Sequence, residues 1–438
     1  MEAMVVNIPH SRLFHIVSLG CPKNLTDSEA LMGQMAEEGF SYTSDPASAE
    51  VIIINTCAFL SSARKESLDV IKEMAAYKNK GACKQLLIAG CLPKYEVRNK
   101  KLEIRKGKKR EVLKYVDGVI NSIKLHDCHT PRVKATPPWT AYVKISEGCD
   151  NNCAYCLIPS IRGRLRTRKV ADVIREVKDL ADRGVKEIIF VAQDTTAHPK
   201  FPEILKKTAK INGVRWIRIM YTHPKHITDK LIDVMAKERK ILKYIDLPMQ
   251  HSSDKMLKAM NRGYDREYLA AIIAKLRKKM SSVAIRTTFI VGFPGETEKD
   301  FEDLKDYISK MKFDRVGVFP YSREKGTKAY KMKGQVPEEL KRGRAEALMK
   351  LQEKISKKKN EGFVGKTMDV LVEALTPSPS PRGRGGSRYK VIGRTYRDAP
   401  EIDGRVEVAS SKKQGVRVGD IVKVRITKAG THDLEGRG

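Results

Sequence analysis

The chain lacks the segments that would place a protein across a membrane or send it out of the cell. No apolar run in its 438 residues approaches the roughly 18 residues that a membrane helix needs. The first twenty residues also lack a basic start followed by a long apolar stretch, which a secretory signal would show. We therefore expect a protein with no membrane segment that lies in the cytoplasm.

Acidic residues are scarce relative to basic ones. The sequence has 85 Lys and Arg against 53 Asp and Glu, which gives a formal net charge of +32. Such an excess predicts a polyanionic partner such as RNA or a ribonucleoprotein. The densest stretch, residues 94–114, holds ten basic and three acidic side chains. Because runs of charge often only solvate a surface, this stretch predicts either a nucleic-acid contact or a solvated face.

The eight cysteines include no second CxxC pair beside the first, yet six of them form two triplets. The tight triplet lies in EGCDNNCAYC, after the strand pattern AYVKIS, and consists of Cys149, Cys153 and Cys156. The dispersed triplet closes the apolar runs FHIVSLGC, VIIINTC and QLLIAGC and consists of Cys21, Cys57 and Cys91. The remaining Cys83 and Cys128 show no pairing pattern. Six ligand-like thiols indicate a reducing compartment, where thiolates stay available to a metal.

The spacing of the dispersed triplet predicts where its members meet. Steps of 36 and 34 residues between its cysteines are those of successive β-α-β units. Parallel strands of such units end at one edge of the sheet. We therefore expect the three dispersed cysteines to converge at that edge.

Three thiolates in each set favour an iron-sulfur centre with one open position. A structural zinc site takes four protein ligands, whereas a four-iron four-sulfur cluster held by three thiolates keeps one iron free. Two alternatives remain open. The tight triplet would also suit a zinc knuckle completed by His126 or His129. The dispersed cysteines would also suit simple burial at strand ends, because free cysteine is among the most buried residue types.

The hydrophobic pattern divides the chain into two α/β parts followed by one β part. Residues 12–128 predict an N-terminal parallel α/β domain, and the Pro-containing segment 126–140 predicts a linker. Residues 135–360 alternate strand and helix patterns six times, which predicts a partial (βα)6 TIM-like barrel whose chemistry lies at the C-terminal mouth. Residues 361–438 predict a small antiparallel β-barrel, interrupted by a flexible Pro-Ser segment at 376–388.

These motifs resemble those of a known family. EGCDNNCAYC has the CxxxCxxC spacing of the radical S-adenosylmethionine superfamily, and the three-domain layout resembles its methylthiotransferases. The resemblance implies two 4Fe-4S clusters and S-adenosylmethionine as cofactors. It also implies that the open iron of the tight triplet binds S-adenosylmethionine, which is split to a 5'-deoxyadenosyl radical, while the second cluster donates sulfur. The C-terminal barrel resembles the TRAM domain, an OB-like substrate-recognition module.

Further site residues follow from the resemblance and from their positions. Tyr155 is placed to stack on the adenine of the cofactor. The GFPGET turn after the fifth strand is expected to contact the cofactor through Gly292, Phe293, Pro294, Gly295 and Glu296. At the second strand end we expect Gln193 and Asp194 to contact substrate. His223 and His251 close the third and fourth strand patterns, where a lone histidine is more often structural than chemical.

The resemblance extends to one branch of the family. Motifs such as SLGCPKNLTDSE at 18–29, VAQDTTAH at 191–198 and GRTYRDAPEIDG at 393–404 resemble the protein-directed RimO branch, which adds a methylthio group to the β-carbon of an aspartate in the twelfth small-subunit ribosomal protein. Expected partners are that protein or the ribosomal subunit, and a reducing protein such as a flavodoxin or ferredoxin. Two alternatives are a methylthiotransferase that modifies adenosine in tRNA and, in another class, a non-catalytic zinc protein that binds nucleic acid.

Overall fold

The computed structural model describes residues 12–98, 112–120, 125–378, 388–410 and 415–438. Most of the basic stretch 94–114 and most of the Pro-Ser segment 376–388 lie outside the described residues, so the predictions made for them stay predictions. Within the described ranges, no helix combines the length and the hydrophobicity that crossing a membrane requires.

The N-terminal part is a five-stranded parallel sheet with helices on its faces, in the order β2-β1-β3-β4-β5. Its strands are β1 Arg12–Ser18, β2 Phe40–Tyr42, β3 Val51–Thr56, β4 Gln85–Gly90 and β5 Gly118–Val119. Its helices are α1 Pro22–Glu37, α2 Ser61–Ala75, α3 Tyr77–Lys80 and α4 Cys91–Arg98.

The three predicted apolar runs of this sheet become β1, β3 and β4. All six residues of β3 are buried, as a strand covered on both faces must be. In register, Ser18 pairs with Asn55 and Thr56 pairs with Gly90, so the three strands end at one level. The sheet edge therefore brings Cys21, Cys57 and Cys91 together, and all three line one cavity.

The central part contains the six predicted parallel strands in two three-stranded sheets, β10-β9-β6 and β11-β12-β13. An isolated parallel bridge between Ile217 and Ile241 joins the sheets, so the strands form an open barrel. The strands, with the short pair β7 and β8, are β6 Thr140–Lys144, β7 Ser146–Glu147, β8 Arg166–Thr167, β9 Glu187–Val191, β10 Trp216–Ile219, β11 Tyr244–Asp246, β12 Ala284–Val291 and β13 Arg315–Pro320.

Most helices of the central part cover the outside of this open barrel, whereas the short helix at residues 158–162 packs against α4 of the N-terminal part. The helices of the central part are α5 Ile158–Arg162, α6 Val170–Asp182, α7 Phe201–Ala209, α8 Asp229–Lys237, α9 Asp254–Ala259, α10 Arg266–Lys279, α11 Glu298–Met311 and α12 Glu338–Glu361. Along β9, Ile188 and Phe190 belong to the core under the helices, whereas Ile189 and Val191 belong to the core inside the barrel. This alternation is the period of two that a strand with two covered faces requires.

The C-terminal part is a closed five-stranded barrel in the order β14-β15-β16-β18-β17. Its strands are β14 Thr367–Ser378, β15 Arg388–Arg394, β16 Val406–Ser410, β17 Ile421–Ala429 and β18 Leu434–Arg437. The prediction of a small antiparallel barrel is confirmed with one difference, because β16 and β18 pair in parallel and close the sheet. The four-residue β18 was missed because LEGR is too short and polar to show a strand pattern.

The C-terminal barrel docks on the amino-terminal ends of the central strands. Glu187, the first residue of β9, accepts hydrogen bonds from Arg218 Nε at 2.9 Å and from Arg394 of β15. All three side chains are buried. Burial alone would raise the pKa of Glu187, but the charges of Arg394 and Arg218 lower it to about 2. The carboxylate therefore stays ionised and binds the two parts of the chain together.

Replacing Glu187 with glutamine is expected to lower the free energy of unfolding by about 3–5 kcal/mol, because it leaves buried Arg218 without its carboxylate partner and leaves Arg394 with Glu373 alone. Both tryptophans, Trp139 and Trp216, lie in the apolar cluster at this interface, so tryptophan fluorescence during urea unfolding reports on it directly. Lys186→Gln is the control, since the neighbouring Lys186 forms only an exposed pair with Asp420. We expect that control to change stability by less than about 1 kcal/mol.

The predicted linker is packed firmly against α1. Glu29 accepts hydrogen bonds from Arg132 Nε at 2.9 Å and from the Ala135 amide at 2.7 Å, and its own carbonyl accepts one from the Val133 amide. A Cβ atom at Gly33 would lie 2.3 Å from the Pro131 backbone, so only glycine allows this approach. The N-terminal sheet is thereby fixed over the central part.

A second contact fixes the N-terminal part over the C-terminal mouth of the central strands. Glu324, which follows β13, accepts hydrogen bonds from the Ser61 amide at 2.8 Å and from Arg64 Nη2 at 2.7 Å at the start of α2. The fold prediction of three parts in this order is confirmed. The exact boundaries at 128, 135 and 360 stay predictions.

Candidate cluster-binding cavity

Both cysteine triplets face one cavity of about 430 Å³. The dispersed triplet reaches it from the edge of the N-terminal sheet, and the tight triplet reaches it from the loop after β7 at the mouth of the central barrel. All six thiols are free, and none pairs in a disulfide. Two sets of three thiols therefore open on the same cavity.

Three of the six cysteines come directly after a glycine with positive φ. Gly20, Gly90 and Gly148 have φ values of +91°, +88° and +81°. A Cβ atom at Gly148 would lie 2.1 Å from the Arg164 carbonyl oxygen, and one at Gly20 would lie 2.9 Å from Cys57 Cβ. The backbone therefore turns into the left-handed region at these points, which turns the following thiol toward the cavity.

The spacing of the thiols suits a core larger than a single ion. In neither triplet do all three sulfurs lie within 4.8 Å of one another, whereas Asp194, His223 and His226 meet that limit. Thiolates around one zinc ion, with Zn–S bonds of about 2.3 Å, would be closer than this. His126 bonds to Asp27 and His129 contacts Arg175, so neither completes the tight triplet. The donor set fits two clusters better than the zinc knuckle.

Burial keeps two thiols of the tight triplet protonated in the absence of metal. Burial raises the pKa of Cys149 to about 11 and that of Cys156 to about 12. In the dispersed triplet, burial raises the pKa of Cys57 and Cys91, whereas at Cys21 the charge of Lys23 and other contacts outweigh burial and lower it. Binding of a cationic core must therefore release protons, because metals take thiolate ligands.

Asp194 positions the cysteine loop and is not one of the residues that line the cavity. One oxygen accepts hydrogen bonds from Asn151 Nδ2 and His226 Nδ1, both at 2.7 Å. The other accepts from Thr196 and Ala197. With both oxygens occupied, Asp194 holds Asn151, which lies between Cys149 and Cys153.

Gln193 presents an unpaired acceptor at the cavity wall. Its Nε2 donates to Glu147 Oε1 at 3.0 Å, and a carboxylate can only accept, so the amide orientation is fixed. Burial raises the pKa of Glu147, but the charges of Lys144 and Arg162 outweigh it and lower that pKa. The buried Gln193 Oε1 has no partner among the described residues.

His223 presents an unpaired donor at the same wall. Its Nδ1 accepts a hydrogen bond from the Lys225 amide, so the proton of the neutral ring is on Nε2. Burial, followed by the charge of Arg262, lowers the pKa of His223 to about 2, which keeps the ring neutral. Nε2 is buried and has no partner among the described residues. His251 has the same local geometry but lies away from the cavity lining.

Two lining residues adopt strained backbone conformations that the sequence did not reveal. Tyr221 has φ of +58° and Gln250 has φ of +74°, at the ends of β10 and β11. Left-handed φ in residues other than glycine costs about 1–3 kcal/mol and is concentrated at functional sites. Lys23 of α1 lies 3.1 Å from the centre of the Tyr221 ring. These residues shape the cavity beside the dispersed triplet.

The predicted cofactor residues divide into two groups. Tyr155 lines the cavity, and its hydroxyl accepts a hydrogen bond from Arg262 Nη1 at 3.0 Å. Residues 292–296 form a turn outside the cavity lining, although Phe293 packs in the same apolar cluster as Tyr155. Within this turn Glu296 accepts hydrogen bonds from the Gly292 amide and from Arg344.

Gly292 allows a close approach between two parts of the protein itself. A Cβ atom at Gly292 would lie 2.2 Å from Lys341 Cγ. The close approach that this glycine permits is therefore to helix α12. No ligand contact is needed to explain it.

A buried ionic network joins the two triplets and was not visible in the sequence. Arg162, at the end of α5, donates to Cys91 Sγ at 3.3 Å and to Asp27 Oδ2 at 2.8 Å. Glu147 accepts from Lys144 Nζ at 2.7 Å, and Lys144 also bonds to Asp27. Burial raises the pKa of Asp27, but Lys144 and Arg162 outweigh it and lower that pKa strongly. Two positive and two negative side chains thus connect α1 to the barrel mouth.

Three family models match successive parts of the chain. The Radical SAM superfamily matches residues 143–308, Uncharacterized protein family UPF0004 matches residues 13–112, and the TRAM domain matches residues 364–438. The first of these contains the tight triplet, and the second contains the dispersed triplet.

Curated relatives match along nearly the whole chain. A protein from Desulforamulus reducens named "Ribosomal protein uS12 methylthiotransferase RimO" is 42% identical and covers 96% of this chain and 98% of its own. One of the same name from Pelotomaculum thermopropionicum is 44% identical with the same coverage. Another, from Caldanaerobacter subterraneus, is 43% identical.

A solved structure shares the fold at low sequence identity. The radical S-adenosylmethionine methyltransferase TsrM from Kitasatospora setae, solved with cobalamin and a [4Fe-4S] cluster, is 13% identical and has a TM-score of 0.50. The match covers 71% of this chain and 75% of that one. At this identity the likeness concerns the fold alone.

Proposed function

The chain belongs to the RimO family of ribosomal protein uS12 methylthiotransferases, and from that premise we propose that it adds a methylthio group to the β-carbon of an aspartate in uS12. It is an enzyme of the radical S-adenosylmethionine class. The observation that supports the proposal best is the single cavity of about 430 Å³ on which both cysteine triplets open. Such a cavity lets sulfur pass from one centre to a substrate activated at the other.

The residues of each triplet have separate roles in this proposal. When bound, the tight-triplet 4Fe-4S cluster with S-adenosylmethionine supplies a radical that removes a hydrogen atom from carbon, and the dispersed-triplet cluster supplies sulfur. Cys149, Cys153 and Cys156 hold the first cluster. Tyr155 contacts the cofactor from the cavity wall, and the 292–296 turn supports that contact through Phe293, which packs in the same apolar cluster. Cys21, Cys57 and Cys91 hold the second cluster.

We assign the unpaired polar atoms of the cavity to substrate binding. His223 Nε2 donates to the carboxylate of the target aspartate, and Gln193 Oε1 accepts a hydrogen bond from substrate backbone. Unpaired buried polar atoms cost about 1–3 kcal/mol, and a bound substrate recovers that cost. Asp194 acts indirectly, through the position of Asn151.

Replacing His223 with phenylalanine keeps the ring and removes the donor. A hydrogen bond to a charged group contributes about 1.5–3 kcal/mol, so we expect kcat/KM for methylthiolation to fall about 10- to 150-fold. Binding of S-adenosylmethionine should be unchanged. Initial rates at varied substrate concentration, with calorimetric titration of the cofactor, measure both.

His198→Phe is the matched control. His198 has the same local turn, with Nδ1 accepting from the Lys200 amide, but its Nε2 pairs with the Arg168 carbonyl at 2.9 Å and it does not line the cavity. We expect this variant to lose stability while keeping its KM for substrate. Equal changes in KM for the two variants would contradict the substrate role of His223.

The choice of substrate is tested by direct competition. Reconstituted enzyme is given uS12, intact small ribosomal subunits and tRNA in parallel, and products are examined by mass spectrometry for the added methylthio group. Modification of an aspartate in uS12 is the expected result. Modification of tRNA alone would establish the adenosine-directed alternative. The net charge of +32 does not separate the two, because it suits both RNA and a protein that functions among ribosomal RNA.

The remaining partners are proposed from the chemistry. A small reducing protein such as a flavodoxin or ferredoxin supplies the electron, and ribosomal RNA near the substrate interacts with the net positive charge of the chain. The cytoplasm supplies the reducing conditions that keep six thiolates available.

A further inference from the structure

Each cysteine triplet has one buried arginine that reaches one of its thiols. Arg162 Nε lies 3.3 Å from Cys91 Sγ, and Arg262 Nη1 lies 3.2 Å from Cys153 Sγ. Both arginines are 4% exposed, and both line the shared cavity. Each guanidinium group therefore places a positive charge within hydrogen-bond distance of one thiol of a triplet.

The charge of Arg162 is balanced by carboxylates. Asp27 Oδ2 lies 2.8 Å from Nη1, and Glu147 Oε1 lies 3.4 Å from the same atom. Lys144 adds a second positive charge, so the buried group has two charges of each sign. The net electrostatic field of this group of four charges at Cys91 is therefore small. Arg162 acts on that thiol mainly through the hydrogen bond from its Nε–H to the sulfur.

The charge of Arg262 has no such balance. Its hydrogen bonds run to neutral groups, namely Tyr264 Oη at 2.6 Å, Pro248 O at 2.8 Å and Tyr155 Oη at 3.0 Å. In the part of the chain that the structure describes, no carboxylate forms an ion pair with Arg262. A whole positive charge in a buried site is costly, and the negative charge of a thiolate-bound cluster is the partner that compensates it.

We propose that these two arginines give the two clusters different reduction potentials. N–H bonds to sulfur and nearby positive charge both stabilise the reduced cluster, which is the more negative state, and so raise its potential. Arg262 supplies both effects to the tight-triplet cluster, whereas Arg162 supplies mainly the hydrogen bond to the other. The remaining positive charge at the dispersed triplet, Lys23 beside Cys21, is partly exposed and therefore more strongly screened by solvent. An electron that reaches the two clusters therefore stays on the tight-triplet cluster, where S-adenosylmethionine is cleaved. The sulfur-bearing cluster stays oxidised.

This inference rests on the proposed function in one respect, since it requires that both clusters form. Iron and sulfide analysis of the full-length wild-type chain tests that requirement alone. Failure of wild-type protein to bind two clusters would overturn the proposed function. Normal binding with unaltered potentials in the variants below would overturn only this inference.

The experiment is a redox titration of the full-length protein followed by electron paramagnetic resonance, with the clusters distinguished by their loss in Cys153→Ala and Cys57→Ala. In Arg262→Gln we expect the ratio of reduced to oxidised tight-triplet cluster at a fixed potential to fall at least tenfold, a shift of about 59 mV for one electron. The dispersed-triplet cluster should keep its potential. An unchanged tight-triplet midpoint in iron-replete Arg262→Gln overturns the proposal.

Arg262→Lys separates charge from hydrogen bonding. The shorter lysine keeps the positive charge but loses the fork of donors, so its midpoint should fall below that of the wild type by less than in Arg262→Gln. If Arg262→Gln does not bind iron, the midpoint potential of Arg262→Lys still tests the proposal. A midpoint equal to that of the wild type would overturn the proposal.

The Arg162 site supplies the second arm. Arg162→Gln leaves Asp27 and Glu147 in excess beside Cys91, so the potential of the dispersed-triplet cluster should fall. Arg162→Gln combined with Asp27→Asn removes one of those charges and should recover part of the shift. A purely structural role would give no such recovery, because the double variant loses more contacts than the single one.

Discussion

Replacing Cys153 with alanine is expected to abolish cleavage of S-adenosylmethionine, with formation of 5'-deoxyadenosine falling by about 1,000-fold or more. The variant keeps two of the three thiols that face the cavity from the barrel mouth, and it leaves Arg262 without the thiol that lies 3.2 Å from its Nη1. An uncompensated buried charge and an incomplete ligand set both act against cluster binding. Chromatography of the reaction products gives the measurement.

The same variant should contain about four iron atoms per chain instead of about eight, because the dispersed-triplet cluster is retained. Cys83→Ala is its control, since Cys83 is a free cysteine that is buried in the apolar core of the N-terminal part. That control should keep both clusters and full cleavage. A folded Cys153→Ala protein that still cleaves the cofactor would show that the tight triplet is not the site of cleavage.

Replacing Cys57 with alanine is expected to separate the two halves of the reaction. Cys57 lies at the end of β3, on the opposite wall of the cavity from the barrel mouth, so its loss leaves the tight triplet and Arg262 in place. Formation of 5'-deoxyadenosine should remain within a few-fold of the wild type, whereas methylthiolation should fall below detection. Mass spectrometry of substrate and chromatography of the nucleoside, from the same reaction, give both numbers.

The control for this variant is Cys128→Ala, because Cys128 lies in the linker region beside Arg175 and outside the cluster cavity. It should retain cleavage and methylthiolation together. If Cys57→Ala folds yet loses both activities equally, the two cysteine triplets do not divide the work as proposed. Iron analysis distinguishes that outcome from a protein that has lost both clusters.

The strands could be predicted from the sequence because buried parallel strands are continuous apolar runs. Their ends could not. The pattern WIRIMYT predicts a strand through Thr222, but β10 ends at Ile219 and Tyr221 adopts a left-handed conformation. The pattern YIDLPMQ likewise extends beyond β11, which ends at Asp246 before Gln250 turns. Hydrophobic periodicity reports burial, whereas strain at a strand end depends on the neighbouring elements.

The six cysteines could be selected from the sequence because their spacing alone marks them. The two buried arginines could not, because a charged residue within IPSIRG or AMNRG looks like a solvated position. Arg162 is buried by Asp27, which lies 135 residues away in the chain. Only the approach of α1 to the barrel mouth creates that pair. For the cysteines the sequence did contain one further local signal. A glycine precedes Cys21, Cys91 and Cys149, and each of these glycines has positive φ.

The small C-terminal barrel contacts the amino-terminal ends of the central strands, whereas the cysteines lie at the opposite, carboxyl-terminal ends. Its contacts reach the first residues of β9, β11 and β13, through Glu187, Tyr244 and Arg315. Strands of five to eight residues rising about 3.3 Å each set the two levels roughly 15–25 Å apart. A molecule that contacted both the C-terminal barrel and the cysteine cavity would therefore have to span that distance along the outside of the central barrel.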